Sequence, residues 1–116
     1  MKFWIYLERE LSDLQSEFEE IFGVNNLYRD YENVWEWLES EDDTAKFNLN
    51  ISRSHNWKTG DYDKPILILV HSESEPVLNE SQIAMRIKDR FNCDVFAGEI
   101  TFESYDKIII GDHRKY

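Results

Sequence analysis

The sequence predicts an α+β fold, two helices packed on one mostly antiparallel sheet in the order β-α-β-β-β-α-β-β. Three observations predict it. Apolar residues recur at helical spacing in two separate stretches, around Leu11–Phe22 and Ile83–Phe91. Lys46–Ser52 alternates polar and apolar, the two-residue period of a half-buried strand. Ile66–Val70 is an unbroken aliphatic run, as in a strand covered on both sides.

Element by element, Phe3–Leu7 (FWIYL) is a short apolar and aromatic strand. Leu11, Leu14, Phe18, Ile21 and Phe22 follow at spacings that line one face of a helix; Ser12 and Asp13 suit its start and Gly23 its end. Residues 28–39 carry two patterns. Tyr28, Tyr31, Trp35 and Leu38 have helical spacing, whereas Val34–Leu38 (VWEWL) has strand-type residues. The next stretch favours a strand over about 33–39. Lys46–Ser52, with Phe47, Leu49 and Ile51 inward, needs a neighbour, and Ser40–Thr44 is a polar hairpin loop. Asn56–Lys64 is a loop around Gly60-Asp61, and Pro65 opens the aliphatic strand. The second helix begins at Asn79 or Ser81, both good N-caps, and buries Ile83, Ala84, Ile87 and Phe91. Two closing strands cover Val95–Phe102 and Lys107–Ile110, with Gly98 marking a bulge and Ser104–Asp106 the turn.

A chain of 116 residues forms one domain, 1–116, and buries roughly two-thirds of its unfolded surface. A composition that is 41% hydrophobic and 15% aromatic argues against disorder. The lone Cys93 precludes an internal disulfide and fits a reducing compartment. The opening apolar run, Phe3–Leu7, stops at Glu8, too short for a membrane span or a signal-peptide core. The expectation is a soluble cytoplasmic protein.

Charge is distributed unevenly. Glu8–Asp43 holds 13 acidic and 2 basic residues, a net of −11; the remainder holds 11 of each. A field of one sign repels nucleic acid and anionic membrane and attracts basic proteins, so neither of the first two is an expected partner. The same stretch contains Phe18, Phe22, Tyr28, Tyr31, Trp35 and Trp37. If 33–39 is a strand, Trp35 and Trp37 share one face, with Val34, Glu36 and Leu38 on the other. Either the sheet is covered on both sides there, or an aromatic pair is exposed.

Chemical motifs are sparse. His55, His71 and His113 lack metal-ligand spacing, Cys93 is followed by a disfavouring Asp94, no serine has a nucleophile-elbow context, and the glycines are isolated. Glu39, Glu41, Asp42 and Asp43 lack the order of a calcium loop. The expectation is therefore no enzyme, cofactor or metal. Arg86, Lys88 and Arg90 read as a solvated helix face. The alternative to a protein-binding role is a small-ligand domain or enzyme built on the His55–Asp63 loop, where His55, Trp57, Asp61, Tyr62 and Asp63 gather.

Three segments, YENVWEWLE (Tyr31–Glu39), NISRSHNWKTGDYDKPILILV (Asn50–Val70) and NCDVFAGEITF (Asn92–Phe102), together about a third of the chain, resemble the small acidic immunity proteins of bacterial polymorphic-toxin and contact-dependent growth-inhibition systems. That class has no invariant catalytic motif, so no residue role transfers by position. The resemblance implies a cytoplasmic, stoichiometric inhibitor of a cognate basic toxin domain, often a nuclease. Charge and aromatic content single out Asp30, Glu32, Glu36, Trp37, Glu39, Asp42 and Asp43 as the partner-binding residues.

Overall fold

The computed structural model describes residues 1–25, 27–40, 48–54, 64–71, 78–104 and 107–116. The chain runs β1 (Lys2–Ile5), a 3₁₀ turn (Leu11–Leu14) leading into α1 (Gln15–Phe22), β2 (Leu27–Glu32), β3 (Trp35–Ser40), β4 (Asn48–Ser54), β5 (Ile66–His71), α2 (Glu80–Phe91), β6 (Phe96–Ser104) and β7 (Lys107–Lys115). The strands form one seven-stranded sheet in the order β2-β3-β4-β5-β1-β6-β7. Every neighbouring pair is antiparallel. This is the α+β fold expected, with one strand more than the sequence predicts.

The added strand is β2. Its Leu27-Tyr28-Arg29-Asp30-Tyr31-Glu32 pairs residue for residue with Ser40 back to Trp35. A two-residue turn, Asn33-Val34, joins the strands, with Asn33 at φ 54°. Asparagine tolerates that left-handed backbone far better than a β-branched residue does. The helical spacing of Tyr28, Tyr31, Trp35 and Leu38 is therefore a coincidence that spans a hairpin.

Leu11, Leu14, Phe18, Ile21 and Phe22 are all buried, as their spacing predicts. The start of that segment differs from expectation. It enters through the 3₁₀ turn after an extended Glu10, with no side-chain cap from Ser12 or Asp13. Gly23, at φ 67°, closes α1. Asn79 caps α2: its side chain accepts from the Gln82 amide at 2.9 Å while Gln82 accepts from the Asn79 amide at 2.9 Å. Both helices lie on one side of the sheet, over Phe3, Ile5, Leu38, Ile51, Ile66, Ile68 and Ala97. Arg90 joins them, reaching Glu20 at 2.6 Å and Glu17 at 3.5 Å, and Arg86 donates to the Ile21 carbonyl at 3.3 Å. The basic face of α2 is thus a helix–helix seam as well as a solvated surface.

Glu80 accepts both a guanidinium fork from Arg114 and the Tyr116 hydroxyl, tying α2 to the end of β7. The Arg114 hydrogen bond holds the Glu80 carboxyl below its ordinary value. This tie contributes stability above the usual carboxylate range and loses it as pH falls through the lowered value.

The other side of the sheet is concave. The rings of Trp35 on β3 and Phe102 on β6 meet edge to face with centroids 5.8 Å apart. Four strand steps separate these strands, about 19 Å in a flat sheet. The sheet therefore curls until its two halves touch. Irregularities at Gly98/Ile100 and Phe102/Ser104 in the β6–β7 pairing accompany the bend. Gly98 is required there, because a Cβ would lie 2.2 Å from the Asp112 carbonyl oxygen and 2.6 Å from the His113 Cα, both backbone atoms. Gly98→Ala is expected to cost about 2–3 kcal/mol in chemical denaturation. A loss below about 0.5 kcal/mol, the scale of neutral surface changes, would show that the bend absorbs the methyl group.

Candidate functional site

Strand alternation decides which acids face the concavity. On β3, Trp35, Trp37 and Glu39 point to it, while Glu36 and Leu38 point to the helices. Register extends the face sideways. Trp37 lies opposite Asp30 and Ser52, Trp35 opposite Glu32 and Ser54, and Glu39 opposite Tyr28 and Asn50. Leu67 and Leu69 of β5, and Lys2 and Trp4 of β1, continue it.

A second, small core underlies this face. Trp4, Leu67 and Ile100 are buried, and Trp35, Phe96 and Ile108 pack on them. Trp4 stacks on Phe96 at 6.0 Å and meets the His113 ring at 5.5 Å. Above it opens a cleft of about 560 Å³, walled by Trp35, Trp37, Leu67, Leu69, Ile100 and Phe102, with Lys2, Glu32, Asn50 and Ser52 as its polar lining. A neighbouring cleft of about 440 Å³ shares Lys2, Asn50 and Leu69 and runs on to Glu39 and His71. Both tryptophans are half-buried walls of the cleft. The face is thus partly covered by its own curl and partly open.

Of the residues expected to bind a partner, Asp30, Glu32, Trp37 and Glu39 share this face. Glu36 does not, and its assignment to a binding surface is corrected. It is fully buried under the helices, accepting from Arg29 Nε at 2.8 Å and lying opposite the equally buried Arg53. The Glu36 hydrogen bond raises the Arg29 pKa further above its ordinary value. Asp42 and Asp43 lie outside the described residues, as does the His55–Asp63 loop of the alternative reading.

Sequence reasoning passed over Trp35, Leu69 and Phe102 as site residues. Trp35 was accessible from its shared parity with Trp37. Leu69 was hidden inside an aliphatic run that conceals which members reach the surface. Phe102 lies on a strand four positions away, and only the curl brings it in.

The acids of the N-terminal third divide by role. Glu17 and Glu20 are engaged by Arg9 and Arg90, and Glu19 accepts from the Leu27 amide at 3.3 Å. On β2 and β3, Asp30, Glu32 and Glu39 lie on the concave face, whereas Glu36 is buried on the other. Tyr28 donates to Glu39 at 3.1 Å, and the Asp30 carboxylate accepts from the Tyr31 amide at 2.8 Å.

Among the described residues, no group of three His, Cys, Asp or Glu side chains is arranged to hold a metal ion. His113 Nδ1 lies 2.8 Å from the Gly111 carbonyl, and its ring packs against Trp4 and Phe96. Burial, and then Asp94, push the Cys93 thiol up against an opposing pull from Lys88. Cys93 is therefore expected to react more slowly with iodoacetamide at neutral pH than a free thiol peptide. Alkylation at the peptide's rate would contradict this. Among the described residues, no helix is long and apolar enough to cross a membrane.

No protein-family model, curated protein or solved structure matches the chain.

Proposed function

We propose that the protein is a stoichiometric inhibitor that binds a cognate basic toxin domain, with a nuclease as the target whose charge fits best. The observation that carries this reading is one face that presents Asp30, Glu32 and Glu39 beside a cleft walled by half-buried Trp35 and Trp37, with Glu32 in its lining and Asp30 paired across the ladder from Trp37. Half-buried Trp beside charge is the composition of an interface hot spot: the rings exclude water and hold the complex, and the acids steer its approach. The resemblance of the YENVWEWLE segment to immunity proteins points the same way, since this segment supplies Glu32, Trp35, Trp37 and Glu39.

The test is co-expression with the C-terminal domain of the protein encoded immediately upstream. Growth arrest by that domain alone, relieved by this protein and not by an Asp30→Lys/Glu32→Lys/Glu39→Lys variant, is the expected result. Rescue by the triple variant would remove the acidic face from the interface, and failure of the native chain to rescue would remove the inhibitor role.

The cleft volume favours one second reading, a small-ligand-binding domain, because about 560 Å³ falls within the range of small-molecule sites. Native mass spectrometry of the purified protein separates the two, since a retained ligand of constant mass belongs only to the second.

A further inference from the structure

We propose that the cleft is the docking site for an extended segment of the partner protein that inserts one large apolar side chain and carries basic residues beside it. This rests on the inhibitor reading and adds the chemistry of the inserted segment.

The cleft is asymmetric, and the asymmetry identifies the occupant. Its floor and far wall are apolar, with Leu69 36% and Phe102 57% exposed. Among the described residues, no helix lies over them. Exposed side chains of that size around one concavity mark an interaction site rather than ordinary surface. Its near wall is the β2–β3 hairpin, whose open face presents Asp30, Glu32 and Glu39. Among the described residues that line the cleft, the basic side chain is Lys2, which donates to the Ile100 carbonyl at 3.2 Å and so ties its ammonium to β6. Charge complementarity therefore puts the partner's cations over β2–β3. Apolar complementarity puts its anchor between Trp37 and Phe102. A purely cationic segment leaves the apolar wall hydrated, and a purely apolar one desolvates carboxylates without pairing them.

Three peptides test this in titrations followed through the indole N–H resonances: acetyl-Arg-Gly-Phe-Gly-Arg-amide, the same peptide with Ala for Phe, and the same peptide with Glu for both Arg. The first is expected to bind about tenfold or more tightly than the second, the scale of burying one aromatic side chain, and more tightly than the third. It should shift the Trp35 and Trp37 resonances. Phe102→Ala should remove most of the Phe/Ala discrimination, while Asp30→Asn/Glu39→Gln should weaken both Arg peptides alike. Equal affinities for the first two peptides, or no indole shifts at millimolar peptide, overturn the proposal. The two readings fail separately. If Trp37→Ala/Phe102→Ala still protects against the toxin domain while the charge-reversed triple does not, inhibition stands and cleft docking falls. If the peptides discriminate as expected but the native chain gives no protection, docking stands and the toxin target falls.

Discussion

Arg53→Ala is expected to destabilise the protein by about 3–5 kcal/mol, a large share of the roughly 5–15 kcal/mol that holds a domain folded. Arg53 is fully buried beneath the helices. Its guanidinium donates to the Leu7 carbonyl at 3.1 Å and the Arg9 carbonyl at 2.7 Å, fixing the chain between β1 and the 3₁₀ turn. Across the ladder stands Glu36, whose second carboxylate oxygen is buried with no hydrogen-bond partner among the described residues. Truncating Arg53 leaves that carboxylate in the core with Arg29 as its counter-charge, and Arg29 is partly solvent-exposed. Glu36→Leu combined with Arg53→Met should cost less than Arg53→Ala alone, because both charges then leave the interior together. Urea unfolding measures both. An Arg53→Ala loss under about 1 kcal/mol, or a double variant worse than the single, would show that this charged patch is solvated and not structural. Since Glu36 faces away from the cleft, folded Glu36 variants should keep their binding.

The second large effect concerns association. Reversing Asp30, Glu32 and Glu39 to lysine changes the net charge from −11 to −5 and concentrates the change on one face. With a basic partner, the on-rate at low salt is expected to fall by about 10- to 100-fold, and its dependence on ionic strength to flatten. Asp13→Lys/Asp89→Lys, on the 3₁₀ turn and α2, should change the rate much less, because steering depends on charge near the contact. Trp37→Ala should act instead on dissociation, by a factor of about 30 if it is a hot spot of about 2 kcal/mol. Stopped-flow association against salt separates these. Equal slopes for the two charge variants would place the interface elsewhere.

The contrast between Glu36 and its neighbours shows how far residues alone lead. That Glu36 shares a face with Leu38, and Trp35 with Trp37, follows from strand geometry. Treating Glu36 as surface follows from the cost of burying a carboxylate. That cost is offset by Arg29 and by the register that sets Arg53 opposite, and neither is visible along the chain. β2 was obscured for a local reason: four large side chains at helical spacing bridge a turn, Asn33-Val34, that lacks the usual Asn-Gly signature. The acids of α1 look like those of β2–β3 in composition, yet Arg90 and Arg9 take up two of them across the fold.

The sequence by itself determined the periods, and hence both helices, most of the strands, the Gly23 cap, a start of the second helix at Asn79 or Ser81, the bulge at Gly98 and the pairing of the two tryptophans on one face. These depend on backbone dihedrals and neighbours a few residues away. Only the tertiary structure decided which face carries the helices, which acid is buried, and that the other face closes on itself until Trp35 meets Phe102. Sheet curvature is a sum of small twists over strands far apart in sequence, and a cleft formed by that sum has no local signature.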